Sequence, residues 1–251
     1  MLRGLYTSAS GMMATRRNLD IVSNNLANAN SGGFKRKEGV KRSFPEMMIS
    51  HFEKGESPRE LGSLGTGVML DEAFTDYNSG EYNYTGNSLD LAIEGQGFFE
   101  IQTPQGVRYT RNGNFTLNGD GEIVTQQGYY LLDETGNSIQ TVDDSEIYVD
   151  SDGQIYLDDL EGARINIVDF EDRDEQLEQV GENLFDYHGE DIIESEESSV
   201  RQGYLEGSNV NVVEEMTKMI EINRLYEAGQ KVIQGMDETL GKAVNEAGRV
   251  N

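Results

Sequence analysis

Two seven-residue apolar repeats, one at each end of the chain, limit the folds open to it more than any other feature. Leu5, Met12, Leu19 and Leu26 lie seven apart, with Ser8, Thr15, Val22 and Ala29 on the companion seam. At the other end Val212, Met219, Tyr226, Ile233, Leu240 and Ala247 repeat at the same interval, accompanied by Ile222, Gly229, Met236, Ala243 and Val250. A period of 3.5 residues keeps one stripe of a supercoiled helix against its partner. An amphipathic helix packed on a globular core explains either stripe by itself. Two stripes flanking a differently composed middle favour termini that meet as a coiled-coil stem.

The C-terminal stripe has defined limits: Asn211 is placed to cap it, Glu214 and Glu215 favour the positive helix start, and Gly248 ends it. A helix of that length is a rod of about 57 Å. Gly229, Gly235 and Gly241 interrupt it, each at about 1 kcal/mol relative to alanine. The N-terminal stripe is weakened by Gly11 and by Asn24, Asn25 and Asn28, whose amides compete for backbone hydrogen bonds. Both helices are therefore expected to depend on partners.

Charge narrows the partners. The 251 residues carry 46 acids against 20 bases, a net of -26, which argues against nucleic acid or an anionic membrane as a general partner. Residues 1–50 hold eight bases and three acids, a net of +5. Residues 133–198 hold 23 acids against Arg164 and Arg173, a net of -21. The basic end is expected to pack against neighbours and the acidic stretch to face solvent. There is no cysteine, hence no disulfide framework. No apolar run approaches the roughly 20 residues of a membrane span, and Met1–Ser8 lacks the apolar core of a cleavable secretory signal. A chain of this kind that leaves the cell is expected to use another route.

From about residue 81 the apolar period becomes two. Leu89, Leu91 and Ile93 alternate with Asp90, Ala92 and Glu94, and Gly95-Gln96-Gly97 leads into Phe98, Phe99 and Ile101. Asn118-Gly119-Asp120-Gly121 reads as a hairpin turn between Phe115–Leu117 and Ile123–Val124. Further strand-like pieces occur at Tyr129–Leu132, Ile147–Val149, Ile155–Leu157 and Ile165–Val168. Residues 34–80 are broken by Pro45, Gly55, Pro58, Gly62, Gly65 and Gly67 and read as an extended connector. The expected fold class is α+β: paired terminal helices and a central, mostly antiparallel β domain. Its boundaries are 1–33 for the first helix, 34–80 for the connector, 81–204 for the β domain and 205–251 for the last helix.

Catalytic motifs do not emerge. Gly65-Thr66-Gly67 and Gly95-Gln96-Gly97 begin like dinucleotide fingerprints, but the third glycine would fall at Leu70 and Glu100. Asp150-Ser151-Asp152-Gly153 resembles part of a calcium loop, yet Tyr148 would occupy its first ligand position, so a turn explains it better. His51 and His188 stand in unrelated contexts. No enzyme activity, cofactor, metal or small-molecule substrate is expected.

Three blocks resemble a known family. Ser23-Asn24-Asn25-Leu26-Ala27-Asn28-Ala29-Asn30 followed by Gly33-Phe34-Lys35-Arg36 is similar to the N-terminal signature of bacterial flagellar rod and hook proteins. Gly65-Thr66-Gly67-Val68, Leu89–Ile93, Gly95–Phe99 and Tyr109-Thr110-Arg111 resemble family segments in the same order. Gln202–Asn211, Glu214-Glu215-Met216, Met219-Ile220 and Asn223–Glu227 complete the likeness. Within the family the resemblance is first to distal rod proteins and second to proximal ones, with residues 37–65 shorter and more charged than the usual connector. A surface adhesin with a coiled-coil stem would share the composition without the ordered blocks.

The resemblance implies a structural subunit that polymerises with itself as a helical homopolymer. Other flagellar rod proteins, the hook protein and the flagellar export apparatus are the implied further partners. It also implies a place in the basal body outside the cytoplasmic membrane, reached without a cleaved signal peptide. The expected self-assembly residues are Leu5, Met12, Leu19, Val22, Leu26, Asn24, Asn25 and Asn28 on the first helix. Met219, Ile222, Tyr226, Ile233, Met236 and Leu240 are their counterparts on the last.

Overall fold

The computed structural model describes residues 2–51, 59–141, 147–158, 160–181, 183–189, 192–194 and 198–247. Helix α1 (Leu2–Ala27) is followed by β1 (Lys37–Ser43), β2 (Met47–His51), β3 (Arg59–Leu64) and β4 (Val68–Thr75). Next come β5 (Tyr82–Tyr84), β6 (Leu91–Glu94), β7 (Phe98–Thr103), β8 (Gly106–Thr110), β9 (Phe115–Leu117), β10 (Ile123–Thr125) and β11 (Tyr130–Leu131). Strands β12 (Ile147–Val149), β13 (Gln154–Leu157), β14 (Leu160–Arg164) and β15 (Ile167–Phe170) lead to a helical turn, α2 (Arg173–Gln176). Then β16 (Leu177–Val180), β17 (Leu184–Tyr187), β18 (Ile192–Glu194), β19 (Ser199–Gln202) and β20 (Tyr204–Glu206) precede α3 (Val212–Ala247). The class is α+β, with long helices at the two ends and an antiparallel β region between them. Two compact units result: a helical unit of Met1–Leu26, Lys37–Phe74 and Val212–Asn251, and a β unit of Ala27–Arg36 and Thr75–Asn211.

In the helical unit, α1 and α3 run antiparallel. Met236 lies over Gly4, Met12 lies over Gly229, and Asn25 meets Glu215. A Cβ at Gly4 would stand 2.7 Å from the mobile Met236 Cε, and one at Gly229 would stand 2.7 Å from Met12 Cγ, nearer that side chain's root, so the glycine notch matters more at 229. Along α3 the heptad positions Met219, Ile222, Tyr226, Ile233, Met236 and Leu240 are drawn from solvent, as is Glu215 outside the heptads, whereas Val212 and Ala243 are exposed. Gly248 and Val250 lie outside the described residues.

Helix α1 carries a second inward stripe. Ser10, Ala14, Asn18, Ile21 and Asn25 are buried or half-buried, and Ser10 faces Gly67 while Asn18, Ile21 and Leu70 face Gly39. The strands they cover, β1 and β4, pair with each other, and β2 and β3 form a separate antiparallel hairpin. Residues 34–80 therefore contain four strands that the sequence pattern did not show. The half-buried positions of β1 are Lys37 and Gly39 while Val40 is exposed, so its sequence carries no apolar alternation to read.

In the β unit the organising strand is β7. One edge pairs with β8, and the other is shared end to end by β11 and β15. Its alternating side chains divide two cores. Phe99 and Ile101 join Leu91, Ile93, Phe115 and Ile123, whereas Phe98 joins Tyr109, Val168, Phe170 and Phe185. The hairpin turn read at residues 118–121 is present: β9 and β10 pair antiparallel, and Gly121 donates to the Asn118 carbonyl at 3.2 Å. Asp150–Gly153 is a turn as well, closed by Gly153 N to Asp150 O at 3.1 Å.

The notches make opposite expectations for two glycines of α3. Gly235 has open space around it, so Gly235→Ala is expected to stabilise the helical unit by about 1 kcal/mol. Gly229→Val is expected to lower its stability, because the new side chain displaces Met12. Urea unfolding followed by circular dichroism measures both, and equal effects would show that the notch at Gly229 is not occupied.

Candidate assembly site and the buried ion cluster

The sequence-read assembly residues fall into three groups. Val22 and Ile222 are buried, and Leu5, Met12, Leu19, Leu26, Met219, Tyr226, Ile233, Met236 and Leu240 are half-buried. Of these, Met12 and Met236 are placed against the opposite helix, over Gly229 and Gly4. The asparagines separate: Asn24 is exposed, while Asn25 and Asn28 are buried.

Asn25 has an intramolecular role that its helix-weakening chemistry did not suggest. Its Oδ1 accepts from Lys37 N at 2.9 Å, and its Nδ2 donates to Lys37 O at 2.8 Å, so the amide pairs with the start of β1 as a strand would. Nδ2 also donates to Glu215 Oε2 at 3.1 Å. Glu215 is buried in turn and is met by Lys218 Nζ at 3.1 Å. Asn28 Oδ1 accepts from Ser31 Oγ at 3.1 Å in the turn that ends α1.

The outer faces of both helices remain apolar in places. Val213, Met216 and Ile220 form an exposed stripe on α3, and Tyr6 and Met13 are exposed on α1. Sequence periodicity overlooks them because the inward seam is the stronger signal.

A second site lies wholly in the β unit and was not read from the sequence. Glu206, at the end of β20, is 1% exposed and sits between two cations that are equally hidden, Lys35 and Arg111. Lys35 Nζ donates to Glu206 Oε1 at 2.6 Å and to Asn78 O at 3.0 Å. Arg111 Nη1 donates to Glu206 Oε2 at 3.2 Å and to Ile93 O at 3.3 Å, and Nη2 donates to Gly95 O at 2.8 Å. The guanidinium also lies over the Phe98 ring, 5.3 Å from its centroid. Burial pulls both cations below their ordinary values, with the Glu206 carboxylate opposing that shift.

This cluster explains the three motif blocks. Gly33-Phe34-Lys35 supplies one cation, Tyr109-Thr110-Arg111 the other, and Tyr204-Leu205-Glu206 the carboxylate. Gly33 N donates to Glu206 O at 2.9 Å, and at φ +67 a Cβ there would stand 2.4 Å from the Arg111 carbonyl carbon. Arg36 N donates to Asn209 Oδ1 at 2.7 Å, extending the clasp. Gly95-Gln96-Gly97 is a turn that presents a carbonyl to Arg111.

Three family profiles match the chain in order. The flagella basal body rod protein profile covers residues 5–35, the flagellar hook protein FlgE/F/G D1 domain covers 92–157, and the flagellar basal body rod FlgEFG protein C-terminal profile covers 201–246. The flagellar basal-body rod protein FlgG of Bacillus subtilis is 34% identical over 98% of this chain and 99% of its own. The flagellar basal-body rod protein FlgF of Caulobacter vibrioides is 36% identical over the whole of both chains. The chain belongs to the flagellar basal-body rod family. Each of the three profiles includes one member of the ion cluster, Lys35, Arg111 and Glu206 in turn, so the family likeness covers the cluster as well as most of both long helices.

Removing the carboxylate tests the clasp. Glu206→Gln leaves two cations buried without a counter-charge and is expected to destabilise the β unit by about 3–5 kcal/mol in denaturant titrations. A cost below about 1 kcal/mol would show that water reaches the cluster. Tyr109, two residues from Arg111, gives a pH signature. Burial first, then the charges of Glu100 and Asp186, push its phenol from 10.0 to about 12. The unfolded chain releases that proton sooner, so stability is kept below about pH 10 and falls as pH rises toward 12. Tyr109→Phe is expected to lose less stability than the parent chain between about pH 9 and about pH 11.

Proposed function

We propose that this chain is a structural subunit of the bacterial flagellar basal-body rod, polymerising helically into the hollow shaft that carries torque to the hook. The observation that carries this reading is the full-length likeness to rod proteins, at 34% and 36% identity with almost nothing of either chain left over. An adhesin would share the composition without that likeness. On this reading residues 1–33 and 205–251 are the assembly ends, paired as a coiled coil. Residues 34–80 are the connector and 81–204 the outward β domain. Neighbours are other copies, other rod proteins and the hook protein. The export apparatus delivers the chain without signal cleavage to the basal body outside the cytoplasmic membrane.

Electrostatics supports assembly through the helical unit. That unit holds 13 Lys and Arg against 15 Asp and Glu, a net of -2, whereas the β unit holds 7 against 31, a net of -24. A polymer repeats its subunit contacts along the whole shaft. Contacts through the near-neutral unit bring little repulsion, while the acidic unit is tolerable where water and salt screen it beyond about 8 Å.

Torque needs large, repeated contacts and no turnover chemistry. The exposed stripe of Val213, Met216 and Ile220 is apolar surface available for such a contact. Ile220 is exposed in the free chain, so Ile220→Asp is expected to change subunit stability by less than about 0.5 kcal/mol. It is nevertheless expected to abolish rod assembly and swimming, by placing a charge in a buried contact. Ile233→Asp, on the inner seam, is expected to cost several kcal/mol in the subunit itself as well. Normal swimming in both variants would contradict assembly through these helices.

A further inference from the structure

The nine methionines of this chain all fall in the helical unit, within residues 1–26, 37–74 and 212–251, and none falls in the β unit. Three of them, Met12, Met219 and Met236, are half-buried on the inner seam. Five others are exposed: Met13 by 64%, Met47 by 61%, Met48 by 66%, Met216 by 49% and Met69, the least, by 37%. Met47 and Met48 open β2, whose hairpin with β3 has no third strand among the described residues, and Met216 stands between Val213 and Ile220 on the outer face of α3. Apolar cores elsewhere in the chain are built from Phe, Ile, Leu and Val instead. Thioethers suit a contact that must adapt to several neighbours, being flexible, polarizable and tolerant of imperfect fit. They are also the chemically vulnerable atoms of such a surface.

We propose that Met13, Met47, Met48 and Met216 are peroxide-sensitive modification sites whose oxidation switches subunit assembly off. The inference rests on the reading of the helical unit as the assembly surface. The reaction needs only hydrogen peroxide. The methionine sulfur attacks one peroxide oxygen, the O–O bond breaks, a sulfur–oxygen bond forms, and the second oxygen leaves as water with both hydrogens. The thioether is oxidised by two electrons and the peroxide is reduced. Exposure directs the oxidant to the four most exposed methionines ahead of Met69 and the three half-buried ones. Each product is a polar sulfoxide where an apolar side chain stood. Burying it between subunits leaves its oxygen without a partner, and an unpaired polar group is costly to remove from water. The β unit has no methionine and keeps its fold. Methionine sulfoxide reductases reverse the change.

The test uses the purified full chain, with polymer formation followed by sedimentation and electron microscopy. Peptide mass mapping locates the added oxygens, and tyrosine circular dichroism monitors the β unit. Peroxide treatment that oxidises the four sites is expected to lower the polymerised fraction at least tenfold with the β unit unchanged. Treatment with both sulfoxide reductases is expected to restore it. The chain with M13Q, M47Q, M48Q and M216Q is expected to show the same loss without peroxide. Oxidised chain that polymerises like untreated chain would overturn the proposal and leave the rod reading intact. So would a loss that the reductases do not reverse, or a glutamine variant that assembles normally. Untreated chain that neither polymerises nor adds to existing rods would instead overturn the rod reading, and the proposal with it.

Discussion

One buried carboxylate, Glu206, organises the β unit. It is hidden between Lys35 and Arg111, and the two cations with one anion leave a positive cluster in a place that water does not reach. Such a group is held by geometry, because every lost contact leaves a bare charge. The cluster joins the segment after α1 to the strand before α3 and ties both to the end of β8. The segments that lead out of the β unit toward the two helices are thereby held side by side, with Gly33 bonded to Glu206 and Arg36 to Asn209. Asn25 repeats the device in the helical unit, where one amide meets β1 and α3 together. Polar contacts of this kind fix which segments meet, and the apolar seams then fill the space between them.

Charge is divided as sharply as structure. Nearly all of the excess acid lies in the β unit, and the helical unit, close to neutral, carries the methionines and the exposed apolar stripe of α3. A repeating assembly favours contacts through the second kind of surface, since like charges repeated on every subunit add up along a shaft. This division of charge supports the proposed arrangement.

Much of this was legible in the sequence. The heptads named several side chains of α3 that are drawn from solvent, Met219, Ile222, Tyr226, Ile233, Met236 and Leu240, but also Val212 and Ala243, which are exposed, and period-two alternation with glycine turns located β6, β7, β9 and β10. What stayed hidden has physical reasons. The second stripe of α1 is built from Ser10, Ala14, Asn18 and Asn25, residues too small or polar to register as an apolar repeat. Strand β1 turns Lys37 and Gly39 inward and Val40 outward, so its sequence lacks apolar alternation. Lys35 and Glu206 stand 171 positions apart, and no local pattern announces that a surface-type residue such as lysine will be 1% exposed. The motif blocks were visible as family likeness, but their shared purpose appears only when the fold brings them together.

The central claim is that subunits of this chain join through the helical unit and leave the β unit free. Hydrogen exchange compared between the free chain and its assembled polymer tests it most directly. The account predicts new protection along α1, the β2–β3 hairpin and α3, with residues 75–211 exchanging alike in both states. New protection concentrated in residues 75–211, with α1 and α3 unchanged by assembly, would contradict it.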